Sequence, residues 1–396
     1  MEHSLLQTIV ACFVSAFLFG LLAKKLKFPA IFGYLIAGIV IGPHTPGMVA
    51  NVAIANQLAE IGVILLMFGV GLHFSFHDLM NVRKIALPGA LFQMLMATIV
   101  GAFLIQKVGF SWTSAIIFGF SLSVASTVVL IRALEQRHLI TTKAGKISLG
   151  WLIVEDIVMV LSIVLLPVLG GMASQAEPLD TQVIILNIVE VLLKIAAFAV
   201  LMYFAGLRVL PAILIYVAKT KSRELTSLSV LAIATGFAYI AYTVFGVSFA
   251  LGAFLAGLVL NESEIGHKAA EHSLPLRDTF AVLFFVSVGM LFDPTTLITH
   301  PWLVLGTLLI ITVGKSLAAL IIMALFRQSL QSGAIIAVSL AQIGEFSFIF
   351  SGMAFTQGLL PQELYNLILA GALLSIASNH FLFKGLDRWV LKKAGS

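Results

Sequence analysis

Residues Gly150–Gly170 read GWLIVEDIVMVLSIVLLPVLG, a run whose only charged residues between Trp151 and Leu169 are two adjacent carboxylates, Glu155 and Asp156. At 1.5 Å per residue, about 20 residues cross the ~30 Å hydrocarbon core of a bilayer. The run is therefore a membrane span, and the acids sit near its middle. A charged side chain at that depth costs roughly 2.5–3.5 kcal/mol on insertion scales, which makes a pair of them a mark of function.

The whole chain agrees with a membrane reading. Its 396 residues are 60% hydrophobic and 10% charged, and mean hydropathy is +1.09, whereas a soluble domain is about 25% charged. The net charge of +5 does not point to nucleic acid, because the basic residues are scattered in short groups between apolar spans with no interleaved aromatic stripe. Cys12 is the single cysteine, so no internal disulfide is possible. The first residues, MEHSLL, lack a basic region and a small-residue cleavage site, and the first span reads as retained.

Apolar runs broken by charge or Gly/Pro clusters predict an all-α polytopic protein of about thirteen transmembrane helices. They fall near 4–23, 30–45, 54–72, 84–106, 111–134, 146–170, 181–206, 226–244, 247–262, 275–292, 301–326, 333–357 and 362–383. Threading them puts nearly all of the 23 basic residues on one side, among them Lys24, Lys25, Arg83, Arg137, Lys146, Lys219, Lys268 and Lys393; Lys107 falls opposite, and Lys194 and Lys315 lie inside spans. Cytoplasmic loops carry the Lys/Arg excess, so the N-terminus is expected outside and the C-terminus in the cytoplasm.

A second regularity appears at an offset of about 218 residues. GYLIAGIVIG (Gly33–Gly42) matches GAFLAGLVLN (Gly252–Asn261), GVGLHFSFHDL (Gly69–Leu79) matches SVGMLFDPTTL (Ser287–Leu297), and Ser121-Leu122-Ser123 meets Ser339-Leu340-Ala341. Equivalent spans are seven apart, an odd number, so the halves form an inverted repeat, a transporter architecture with its ion site near the midplane. Spans five and twelve carry GFSLSVASTVV (Gly119–Val129) and AVSLAQIGEFS (Ala337–Ser347) at mid-depth. These small and polar residues allow a helix to break and turn its peptide groups into a cavity, and two crossing broken helices are expected. Close helix packing by small residues is the other reading of the same composition.

Few ionisable residues lie within spans. Glu190 and Lys194, spaced i,i+4, read as a self-paired helix decoration, and Glu60 lies near the outer face. Glu155 and Asp156 point about 100° apart on their helix, so one faces the cavity and the other a neighbour. Lys315 is the natural counter-charge, and a merely stabilising buried pair is the alternative for Glu155. Desolvation disfavours an ionised carboxylate while a bound cation favours it, so proton and metal ion compete for one group. Na⁺ or K⁺ takes oxygen ligands, which a break at Ser126-Thr127 supplies beside Asp156. Ser123 and Glu345, which falls opposite Thr127 in the repeat, are possible accessories. His73, His77 and Asp78 have metal-ligand spacing but read as a solvated loop end. No H-E-x-x-H or G-x-S-x-G motif supports an intramembrane hydrolase.

At these residues the sequence resembles the Kef-type branch of the cation:proton antiporter-2 superfamily, and most closely its YbaL-like members. The stretches that carry the resemblance are GYLIAGIVIGP, AEIGVILLMFGVGL, SLSVASTVVLIRAL, GWLIVEDIVMVL, SFALGAFLAGLVLNESE, LPLRDTFAVLFFVSVGMLFDP and AQIGEFSF, spread over about residues 25–380. The resemblance implies an NhaA-like fold in a homodimer of the bacterial inner membrane, surrounded by lipid. It also implies a dimerisation part (1–80 and 226–298), a moving core (84–170 and 301–383) and a linker helix (181–206). Asp156 would be the shared ion and proton carboxylate, and Lys315 the core lysine. The expected activity is exchange of K⁺ or Na⁺ for H⁺ without a cofactor, with a gated, channel-like K⁺ efflux system as the alternative. Two departures stand out. Relatives carry Asp, Asn or Gln where Glu155 stands, and Kef-type proteins continue into a cytoplasmic nucleotide-binding RCK domain that this sequence leaves no room for.

Overall fold

The computed structural model describes residues 5–46, 50–73, 76–173, 181–204, 208–246, 249–261 and 274–394. Among them there are eighteen α-helices, π-helical residues at 208–209 and at Ile310–Gly314, and no strand. In chain order the helices are α1 (Leu5–Lys25), α2 (Ala30–Ile41), α3 (Val52–His73), α4 (Phe76–Gln106), α5 (Trp112–Ser121), α6 (Thr127–Glu135), α7 (Lys143–Ala173), α8 (Thr181–Phe204), α9 (Leu210–Lys219), α10 (Arg223–Phe245), α11 (Phe249–Asn261) and α12 (Leu274–Met290). The short α13 (Thr296–Thr299) and α14 (Pro301–Leu309) follow, then the π-turn Ile310–Gly314, α15 (Lys315–Leu325), α16 (Leu330–Leu340), α17 (Glu345–Thr356) and α18 (Gln362–Ala394).

An all-helical chain is what hydrocarbon demands, because a helix satisfies its backbone polar groups within itself. Six of the described helices are long and apolar enough to cross a membrane by length and composition: Leu5–Lys25, Val52–Leu72, Val82–Gln106, Glu224–Phe245, Pro301–Leu325 and Gln362–Arg388. Shorter apolar helices, α2, α5, α11, α16 and the Phe346–Thr356 part of α17, stand where the sequence predicts spans that are Gly-rich or broken. Outward faces are apolar, as with Phe17, Leu21, Tyr216 and Trp302. Ends carry local signals: Ser111, Ser222 and Ser329 cap α5, α10 and α16 by accepting the amide three residues on, and Gly246 closes α10 with φ 64°.

The chain divides into two compact units. The first comprises residues 1–16, 48–74 and 163–287. Its α3 and α11 approach closely because Gly71 and Gly257 have no side chain: a Cβ on Gly71 would meet the Phe254 carbonyl, and one on Gly257 the Phe68 carbonyl. Ser287 donates to Asn56 Oδ1 at 2.6 Å, joining α12 to α3.

The second unit comprises residues 17–47, 75–162 and 288–396. The Trp151 ring of α7 packs against Gly89 of α4, where a Cβ would collide with it. Around Trp151 packs a core of Leu130 and Leu134 of α6, Ile147 and Leu152 of α7, Met323 of α15, Ile336 and Leu340 of α16, and Phe383 of α18. This unit holds every residue that the sequence singles out for ion chemistry.

Two boundaries and one helix differ from the sequence reading. α4 begins at Phe76, well before residue 84, and α18 runs to Ala394, beyond residue 383; helices continue past the hydrocarbon once their backbone is paired, and hydropathy marks only the apolar part. α9 was not expected at all. Its Leu210 and Leu214 are buried while Tyr216 is exposed, a short amphipathic helix in a stretch whose lysines read as loop. Lys194 and Glu190 do pair along α8, at 2.6 Å.

Candidate ion site at two helix breaks

α5 stops at Ser121 and α6 restarts at Thr127; α16 stops at Leu340 and α17 restarts at Glu345. Both breaks belong to the second unit, and the offset of about 218 residues relates Ser126 to Gly344. The two unwound segments touch. A Cβ on Gly344 would collide with Cα and Cβ of Ser126, so only glycine allows the backbones this close.

A break leaves peptide groups without helical partners, and buried ones must find others. In the first break side chains from three helices and the second break supply them. Gln93 of α4 donates to the Ser123 carbonyl at 2.9 Å, and Trp151 of α7 donates to Gln93 Oε1 at 3.3 Å. The Ala125 amide donates to Glu155 Oε2 at 2.8 Å, and the Ser126 amide to Gln342 Oε1 at 2.9 Å. Gln342 Nε2 returns a bond to the Ser126 carbonyl at 3.2 Å, and Ser347 of α17 reaches the Val124 carbonyl at 3.5 Å. Ser126 then caps α6, its hydroxyl accepting the Val129 amide at 3.3 Å.

The second break is served differently. Lys315, fully buried on α15 directly after the π-turn, donates from Nζ to the Gln342 main-chain carbonyl at 3.0 Å. Asn379 of α18 donates to the Val338 carbonyl at 2.8 Å, Ser316 to the Ala337 carbonyl at 3.1 Å, and the Ile343 amide reaches Ser375 Oγ at 3.4 Å.

The residues expected from sequence fall out as follows. Asp156 is buried and accepts from the Thr127 hydroxyl, Oγ1 to Oδ2, at 3.3 Å. Glu155 is fully buried and turned away to the Ala125 amide; its Oε1 has no hydrogen-bond partner among the described residues. Glu155 and Lys315 attract one another through space but form no direct ion pair. Ser123 uses its hydroxyl on the Phe120 carbonyl at 2.7 Å and meets the site through its own carbonyl. Glu345 opens α17, but its side chain lies outside the described residues, as do those of His73, His77 and Asp78. Sequence reading gives Gln342 only a share in breaking its helix and gives no role to Gln93, Trp151, Ser375 or Asn379. A lone Gln or Asn at mid-span was the available signal.

Chemically, the arrangement offers one carboxylate, Asp156, beside the hydroxyl and carbonyl oxygens of an unwound segment, with two further buried charges of opposite sign, Glu155 and Lys315, close by. Such a set suits a hard monovalent cation or a proton.

Comparison with known proteins points the same way. The sodium/hydrogen exchanger transmembrane family matches residues 13–384. The chain is 53% identical over 394 residues to YbaL of Escherichia coli strain K12, a candidate cation/proton antiporter, covering 99% of this chain and 70% of that one. It is 31% identical over 386 residues to K(+) efflux antiporter 4 of Arabidopsis thaliana, covering 97% of this chain and 64% of the relative. The structure of the sodium proton antiporter MjNhaP1 from Methanocaldococcus jannaschii shares the fold, with a TM-score of 0.71 at 17% identity over 96% of this chain and 98% of that one. The chain belongs to the sodium/hydrogen exchanger family of transmembrane transporters.

Proposed function

We propose that this protein exchanges a monovalent cation, K⁺ or Na⁺, for H⁺ across the bacterial inner membrane by alternating access. The observation that carries the reading is Asp156: a buried carboxylate hydrogen-bonded to the Thr127 hydroxyl at the start of a broken helix. A proton and a cation cannot both occupy that carboxylate. Release of one readies the site for the other, and exposure to each side in turn makes the competition an exchange.

Glu155, in this account, is a fixed part of the site. Its carboxylate holds the Ala125 amide and balances Lys315, while Asp156 alone carries cargo, with oxygens from Ser126 and Thr127 completing the cation's shell. The finer architecture proposed is about thirteen crossings as an inverted repeat, with N-terminus outside, C-terminus in the cytoplasm and two copies per assembly in the lipid bilayer. The matched breaks and the sequence repeat support the internal symmetry. The one-sided basic residues support the orientation.

The test is collapse of an imposed pH gradient in proteoliposomes on adding K⁺, Na⁺, Li⁺ or choline. Dissipation by one alkali cation and not by choline is expected, and names the substrate. A gradient unaffected by every cation would refute the exchange, and cation flux without proton movement would favour a channel-like efflux system.

A further inference from the structure

We infer that Gln342 is a positioning residue of the ion site: its side-chain amide clamps the Ser126 peptide and so sets the cage that Ser126, Thr127 and Asp156 present to the cation. The inference rests on the antiporter reading given above.

A carboxamide copies a peptide group, with one acceptor and two donors in a plane. Gln342 uses this likeness fully. Oε1 takes the Ser126 amide at 2.9 Å and Nε2 gives to the Ser126 carbonyl at 3.2 Å, across 216 residues of sequence. Nε2 also gives to the Ser339 carbonyl at 3.3 Å, tying the same amide to the end of α16. A single hydrogen bond would hold one peptide group and let the next swivel about the Ser126 Cα. The two bonds hold the peptide groups on both sides of that Cα, and the second leads directly into Thr127, whose hydroxyl meets Asp156. Gln342 is fully buried, so water does not compete for these contacts. The clamp is also separable from the lysine anchor, because Lys315 binds the main-chain carbonyl of Gln342, which any substitution keeps.

Two variants test the clamp, with K⁺- and Na⁺-driven proton flux in proteoliposomes measured against cation concentration at several pH values. Gln342→Leu keeps a side chain of similar size and removes both bonds to Ser126 together with the one to Ser339. Loss of the Ser126 amide's partner is expected to raise the cation KM on the order of tenfold, in protein that elutes as a single species in detergent. Gln342→Glu is the decisive partner. Protonated, a carboxyl keeps an acceptor and one of the amide's two donors; ionised, it has acceptors only. The charges around it are Lys315 on its own carbonyl, Glu155 on the amide beside Ser126, and Asp156 on Thr127. Its KM relative to the unaltered protein is expected to rise, with the rise growing as pH rises. Unchanged KM and pH profile in both variants, or a lower maximal rate at unchanged KM, would overturn the clamp. If Gln342→Leu fails to fold, the Gln342→Glu profile decides alone. An unaltered protein inert to every cation would remove the antiporter reading itself, and the clamp's function with it, which is a different result from active protein with indifferent variants.

Discussion

The two helix breaks set buried charges of opposite sign on their peptide groups. At the first, ahead of α6, the Ala125 amide takes the carboxylate of Glu155, while its carbonyls are served by the neutral side chains of Gln93, Gln342 and Ser347. At the second, beyond the end of α16, the carbonyl of Gln342 takes the ammonium of Lys315. This is the pattern helix ends dictate, with partial positive charge at an N-terminus and partial negative charge at a C-terminus. Each break recruits a buried charge of the sign it prefers, and the two charges then balance one another through space. Asp156 stands beside this balanced frame, held by the Thr127 hydroxyl, and is the carboxylate to which the proposed exchange assigns the mobile ion.

The comparison is broken most strongly by removing one of the balancing charges. Lys315→Met leaves Glu155 buried without its counter-charge, and a loss of about 3–5 kcal/mol of stability is expected, measured as thermal unfolding in detergent. Adding Glu155→Gln to that variant should recover much of the loss; no recovery would mean that the charges are independent. Gly344→Ala tests the close approach of the breaks, since its Cβ would meet Ser126. Overpacking of this kind costs about 1–3 kcal/mol, and the expected result is loss of transport with partial loss of stability.

A subtler test leaves both breaks in place and removes a buttress. Gln93→Leu strips a donor from the Ser123 carbonyl and an acceptor from Trp151, with an expected cost of about 1–2 kcal/mol. The smallest effect concerns the far end of α6. Arg137 binds Asp387 through two nitrogens, at 3.0 Å each, and stacks 4.4 Å above the Phe383 ring. The pair is partly exposed, so Asp387→Asn should cost no more than about 1 kcal/mol, and less at high salt.

Much of this site was legible in the sequence because the membrane simplifies the reading. Charge is so costly at depth that Glu155, Asp156 and Lys315 announce themselves, and clustered Ser, Gly and Gln mark where helices break. Hydropathy gives depth but not direction around a helix. It could not say that Glu155 turns to the Ala125 amide while Asp156 turns to Thr127, nor that Lys315 seeks a carbonyl before a carboxylate. The pairing of Gln342 with Ser126 depends on contact between segments far apart in sequence, and no local pattern encodes it. α9 escaped because ten residues with two buried leucines resemble a loop when lysines follow. The π-turn before Lys315 has no composition that distinguishes it from an ordinary span.

In the proposed exchange two adjacent acids do different work, and cation-driven proton flux in proteoliposomes for Asp156→Asn and Glu155→Gln, measured side by side, separates them. Asp156→Asn is expected to abolish exchange and Glu155→Gln, which keeps an oxygen for the Ala125 amide, to retain it. Exchange that survives in Asp156→Asn and vanishes in Glu155→Gln would contradict that assignment.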